Sequence, residues 1–135
     1  MSRRIESQNV SISCPPEKVY VFLSNFDHFE SVLPEQVTNW KSTGDSCSFE
    51  VKGMATIGFR ITNRTPYSKI SMLGEGKLPF GFTLDTYIVG NGPMNCQVQL
   101  VIESDMNPFI ATMAEKPLQS FIEMIVSRLK MEMEK

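Results

Sequence analysis

Histidine is almost missing from this sequence: there is one, His28, in 135 residues. A metal site would need further His, Cys or Asp ligands at suitable spacing, and they are absent. Any Ser–His–Asp triad would have to recruit the same residue, so His28 reads as a surface histidine near a helix start. Cysteine is scarce as well. Cys14, Cys47 and Cys96 are odd in number, far apart and form no CxxC pair. They read as small, buried, reduced thiols of a cytoplasmic protein. The opening Met1-Ser2-Arg3-Arg4 runs straight to Glu6 without an apolar stretch, so no secretory signal is expected. The longest uncharged run, Thr86 to Ile102, is interrupted by Gly90, Asn91, Gly92 and Pro93, which excludes a membrane span there. Positive charge is not in excess: 13 basic residues stand against 15 acidic ones. A nucleic-acid partner is therefore not expected. Gly74-Glu75-Gly76-Lys77 lacks the spacing of a phosphate loop and reads as a hairpin turn, or as a flap at a cavity mouth. No cofactor is implied by any motif.

What the sequence does have is a globular balance, 41% hydrophobic and 21% charged, over a length that suits a single domain spanning residues 1–135. Residues 5–12 read as a strand that Pro15 and Pro16 stop. Pro in a first helical turn, followed by Glu17, opens a helix with Val19, Phe22, Leu23 and Phe26 on one face. Asp27 is placed to cap a second short helix, with Phe29, Val32 and Leu33 for burial and Pro34 at its end. Six stretches with a period of two follow. They centre on Val37–Lys41, Cys47–Val51, Ile57–Ile61, Ile70–Met72, Phe80–Ile88 and Cys96–Ile102. Short turns such as Lys52-Gly53 and Gly90-Asn91-Gly92-Pro93 join them, which predicts an antiparallel sheet with one wet face. Asn107-Pro108 then starts a long amphipathic helix striped by Ile110, Ala114, Leu118, Phe121, Ile125 and Leu129 and widened by Met113, Ile122 and Val126. Pro117 sits inside it and predicts a kink, or a short helix feeding a long one.

One strand, two short helices, six strands and a long helix give an α+β chain. Its curved antiparallel sheet of about seven strands wraps around the C-terminal helix. Ile12-Ser13-Cys14-Pro15-Pro16-Glu17-Lys18-Val19 resembles the opening of the START-like, pollen-allergen-like helix-grip superfamily (SRPBCC, including polyketide cyclases). Its members often begin with a strand ending in Ile-x-Ala-Pro, then Glu and Val on the first helix. Cys14 stands where Ala is usual. The resemblance implies a helix-grip fold enclosing a cavity for a lipid, sterol, plant hormone or polyketide. It carries no shared catalytic constellation onto this chain.

The candidate ligand-binding residues are therefore the inward apolar ones: Phe49, Val51, Ile57, Phe59, Ile61, Met72, Phe80, Phe82, Leu84, Met113, Phe121 and Ile125. They suit a small hydrophobic or amphipathic ligand. A cyclase or dehydratase would instead need Arg60, Asp85 or Tyr87 to face the cavity, and strict alternation points all three outward. No catalytic residue is assigned. A third reading is an interaction domain with a filled core, including a homodimer.

Overall fold

Two consecutive prolines decide where the first helix starts. In the computed structural model, which describes residues 3–33, 37–51, 56–76 and 81–135, Pro15 is the N-cap and Pro16 the first residue of α1 (Pro16–Leu23). Val19 and Leu23 are its buried face. A 3₁₀ helix follows over Phe26–Val32. Its cap is Asn25 and not Asp27: Asn25 Oδ1 accepts from the Asp27 amide at 2.9 Å. Asp27 is instead an acceptor for the Ser42 hydroxyl. The expected stop at Pro34 lies outside the described residues.

Among the described residues, eight antiparallel strands form one sheet: β1 (Arg3–Glu6), β2 (Val10–Ile12), β3 (Val37–Ser42), β4 (Ser46–Val51), β5 (Thr56–Thr65), β6 (Lys69–Gly76), β7 (Phe82–Gly90) and β8 (Cys96–Ser104). Their order is β1-β8-β7-β6-β5-β4-β3, with β2 beside β1 on β8. The first expected strand is thus two. Glu6 pairs with Val101 and Val10 with Val98, so three residues (7–9) stand opposite two (99–100). Ser7 bridges the irregularity, since its hydroxyl oxygen accepts from the Leu100 amide at 2.9 Å. The Gly74–Gly76 stretch is neither turn nor flap but the end of β6, where Gly74 pairs with Phe59. The Lys52-Gly53 turn lies outside the described residues.

The long helix α2 runs unbroken over Pro108–Met133 with Pro117 inside it, at about 40 Å of length. The apolar phase is the same on both sides of Pro117, so burial on one continuous face outweighs the one backbone hydrogen bond that proline removes. Asn107 caps it, accepting from the Ile110 amide at 2.9 Å. Its chief contacts are with β1, β2, β8 and the 3₁₀ helix. A polar ridge along α2 also reaches the free edge of β1 and β2. Gln119 Nε2 donates to Glu6 O at 2.6 Å and Lys130 Nζ to Ser11 O at 2.6 Å. The Gln8 amide donates to Glu123 Oε1 at 2.6 Å and the Ser13 amide to Glu134 Oε2 at 2.9 Å. Edge groups that would otherwise template another strand are thereby satisfied. Lys130, and then the Ser13 amide, hold the Glu134 carboxyl below its ordinary pKa.

Candidate functional site

Because α2 packs mainly toward β1, β2 and β8, it leaves a gap over β3–β7. Phe121 and Ile125 from α2 close that gap against Phe26, Phe29 and Leu33 of the 3₁₀ helix region. The sheet contributes Trp40, Cys47, Phe49, Phe59, Met72 and Leu84. The space between them is about 20 Å³, room for a single water-sized sphere.

The wall is aromatic and ordered. The Trp40 ring lies between Phe29 (6.3 Å between centroids, 4° between planes) and Phe49 (5.7 Å, 27°). Phe49 continues the array to Phe59 (6.0 Å, 25°) and Phe121 (5.9 Å, 12°). Cys47 is the one wall residue with an ionisable side chain among those described. Burial pushes its thiol up to about 12, against a smaller lowering by a backbone hydrogen bond at Phe59. It is a neutral thiol at physiological pH.

Trp40 reaches the wall because β3 carries an extra residue. Thr38 pairs with Glu50 and Lys41 with Ser48, so Asn39 and Trp40 together stand opposite Phe49 alone. Asn39 takes up the irregularity at φ 56°, and its side-chain amide donates to Glu50 Oε2 at 2.8 Å. Val37 and Trp40, three apart, thereby both pack on the core. The indole Nε1 is buried and meets no acceptor among the described residues.

A second extra residue, at Thr62 in β5, turns Arg64 to the inner face opposite Ile70. The guanidinium donates to Ser24 O at 2.8 Å and pairs with Asp45 at 2.5 Å, tying the end of α1 to the β3–β4 turn.

Six of the expected site residues line the cavity: Phe49, Phe59, Met72, Leu84, Phe121 and Ile125. Ile57, Ile61 and Phe82 are buried on the same sheet face but are not part of the wall. Val51 ends β4 and its side chain is not among those described, while Phe80 lies outside the described residues. Met113 is a correction, being 64% exposed. It follows buried Ala111 by two positions, about 200° around the helix, and so points away from the sheet. Phe26, Phe29 and Leu33 were legible as buried but not as wall, and Trp40 was hidden by the bulge.

Arg60, Asp85 and Tyr87 alternate with inward residues and occupy the outer face. Arg60 lies 3.8 Å from Glu75, and Lys69 sits 5.1 Å from the centre of the Tyr87 ring. His28 is exposed, stacks on Phe22 at 5.5 Å, and lines an open surface groove with Pro15, Val21 and Met133. Among the described residues no cluster of His, Cys, Asp and Glu is arranged to hold a metal ion, and no helix is long and apolar enough to cross a membrane.

A bent sheet gripping a long helix, with an apolar space between them, defines a START-like helix-grip protein. The chain belongs to the family described as polyketide cyclase / dehydrase and lipid transport, whose model matches residues 4–134. A START superfamily protein from Mycobacterium smegmatis is similar in structure, with TM-score 0.77 at 14% identity over 97% of both chains. An uncharacterised protein from Bacillus thuringiensis gives TM-score 0.75 at 12% identity over 98% of this chain and 100% of that one. Norcoclaurine synthase from Thalictrum flavum, in complex with dopamine and hydroxybenzaldehyde, gives 0.74 at 12% identity over 98% of this chain and 86% of that one. These likenesses establish the fold. No curated protein matches the chain.

Proposed function

We propose that this protein binds a small hydrophobic or amphipathic ligand in the space between the sheet, the 3₁₀ helix and α2. The observation that carries the reading is the space itself, partly open to solvent and walled by apolar side chains from every layer of the fold. At about 20 Å³ it admits a ligand only when its wall moves. Leu33, Trp40 and Phe121 are the half-buried members of that wall and so the ones with freedom to do so. Binding has more support than cyclase or dehydratase chemistry. Arg60, Asp85 and Tyr87 are on the wrong face, and Cys47 is held as a neutral thiol. The family and the synthase neighbour keep the catalytic alternative in view. Three free, buried thiols suit a reducing compartment, in keeping with a cytoplasmic protein.

The small volume supports one other reading, an interaction domain with a filled core, as a homodimer or with another partner. The open groove beside α1 would then be the contact face. Titration with N-phenyl-1-naphthylamine separates the two. The cavity reading predicts saturable, blue-shifted fluorescence at one probe per chain. Cys47→Val, which adds bulk at the wall, should weaken binding at least about tenfold with the far-UV spectrum unchanged. Equal affinity in that variant, or no saturable signal, would reject the cavity.

A further inference from the structure

Five consecutive apolar residues, Val19-Tyr20-Val21-Phe22-Leu23, end α1, although the helix lies on the surface of the fold. Only Val19 and Leu23 are buried. At about 100° per residue, the three between them sweep around the outer half of the helix. Val21 is 59% exposed, and Tyr20 and Phe22 flank it half-buried. A helix that is apolar all round is ordinarily a covered one. The apolar face continues on both flanks. Tyr67 meets Tyr20 edge to face at 5.5 Å, itself exposed and held at φ 64°, a backbone setting where glycine is usual. On the other flank Phe22, Pro15 and Met133 line the open groove, which holds about 540 Å³ against about 20 Å³ inside the fold.

We propose that this face pairs with the same face of a second copy of the chain, α1 against α1, as a weak homodimer about a two-fold axis. Charge selects that partner. Glu17 and Lys18 are exposed side by side on the outer face and form no ion pair among the described residues. A face with one free acid and one free base does not match a nucleic acid, an anionic membrane or a protein surface of one sign. It does match itself. Antiparallel helices crossing beside these residues bring each Glu17 to the partner's Lys18 and, in the same register, each Val21 over the partner's Pro15. The groove shares no residue with the wall of the inner space, so the inference goes beyond the cavity reading and holds with or without a ligand inside. One eight-residue helix per copy sits at the lower end of what a specific interface needs, about 1,000 Å² in total, which is why the dimer is a weak one.

Sedimentation equilibrium from about 10 μM to about 1 mM protein reads the association. The wild-type mass should rise with concentration from 15.3 kDa toward twice that value. Glu17→Lys and Lys18→Glu each set like charges across the axis and should each weaken the dimer at least about tenfold. Mixed in equal amounts, the two variants carry opposite charges at both facing positions and should associate within about threefold of wild type. Val21→Ser should weaken the dimer at least about tenfold with the far-UV spectrum unchanged. A wild type that stays monomeric over the whole range would overturn the second copy as the occupant of this face. A dimer that all three single variants leave intact would overturn the assignment to α1. Single variants that are weakened but do not associate on mixing would overturn the pairing of Glu17 with the partner's Lys18. All three substitutions are at exposed positions, and recovery on mixing is a gain of association that a folding defect does not produce.

Discussion

Gly74 faces inward from β6, and the ring of Phe82 on β7 occupies the space its side chain would need. A Cβ added at Gly74 would land in that ring. The same ring meets Phe59 edge to face at 5.5 Å, so glycine on one strand is covered by an aromatic on the next. Gly74→Ala should destabilise the fold by about 1–3 kcal/mol in urea unfolding, and the added substitution Phe82→Val should recover part of that. A Gly74→Ala stability within about 0.5 kcal/mol of wild type would show that the ring gives way freely. At this scale the sequence was a good guide wherever alternation was unbroken. The outward setting of Arg60, Asp85 and Tyr87 and the inward setting of Phe49, Phe59, Met72 and Leu84 all follow from period two. It misled at Gly74-Glu75-Gly76, where glycine suggested a turn and the aromatic cover of the neighbouring strand keeps the segment in the sheet. It misled again at Met113, where an apolar residue sits on the wet side of its helix.

Among the elements, the three irregular places in the strands explain what could not be read. One extra residue per strand inverts every facing beyond it, and nothing in the local residue types of Thr38–Asn39–Trp40 marks Asn39 as the extra one. Val37 and Trp40, three apart, share the inner face because Asn39 between them is the extra residue, as Ile61 and Arg64 do because of Thr62. A deletion tests the first of these. Without Asn39, β3 becomes a regular strand in which Val37 and Trp40 remain on the inner face. Tryptophan emission should then stay at its wild-type wavelength, with stability changed by no more than about 1 kcal/mol. A red-shifted emission would show that the bulge itself, and not the register of Lys41 and Ser42 with β4, holds the indole inside. Helix boundaries were more legible than strand facings, because Pro15-Pro16 and Asn107-Pro108 are chemical start signals. The continuity of α2 through Pro117 was legible too, because the apolar stripe keeps its phase on both sides of the proline, and the structure has one helix over Pro108–Met133 with no separate short helix before it.

For the whole molecule, element order alone was enough to place a curved sheet around a long helix. The volume between them was out of reach, because it depends on where α2 leans. Its polar ridge fastens it along β1 and β2, and that distance from β4–β6 sets the size of the cavity. Burial also gives the molecule a pH limit. Desolvation raises the Cys47 thiol to about 12 and the Cys96 thiol to about 11. Their neutral forms therefore stabilise the fold fully below the unfolded thiol value of about 8.5, and that contribution is lost as pH rises toward the folded values. Urea stability should fall between about pH 9 and 11, by at most about 1.4 kcal/mol per pH unit for each thiol. Cys47→Ala with Cys96→Ala should flatten the decline. A slope unchanged in that double variant would assign the loss to other groups.

On the proposed function, an apolar ligand enters between the sheet and α2. Methyl resonances of the nine methionines test it directly. Met72 lines the cavity, Met133 lines the outer groove, and Met94, Met113 and Met131 are exposed. On titration with cumene, the Met72 methyl should shift saturably while Met133 and the three exposed methyls stay in place. A saturable shift at Met133 with Met72 unmoved, or no saturable shift at all, would contradict the account.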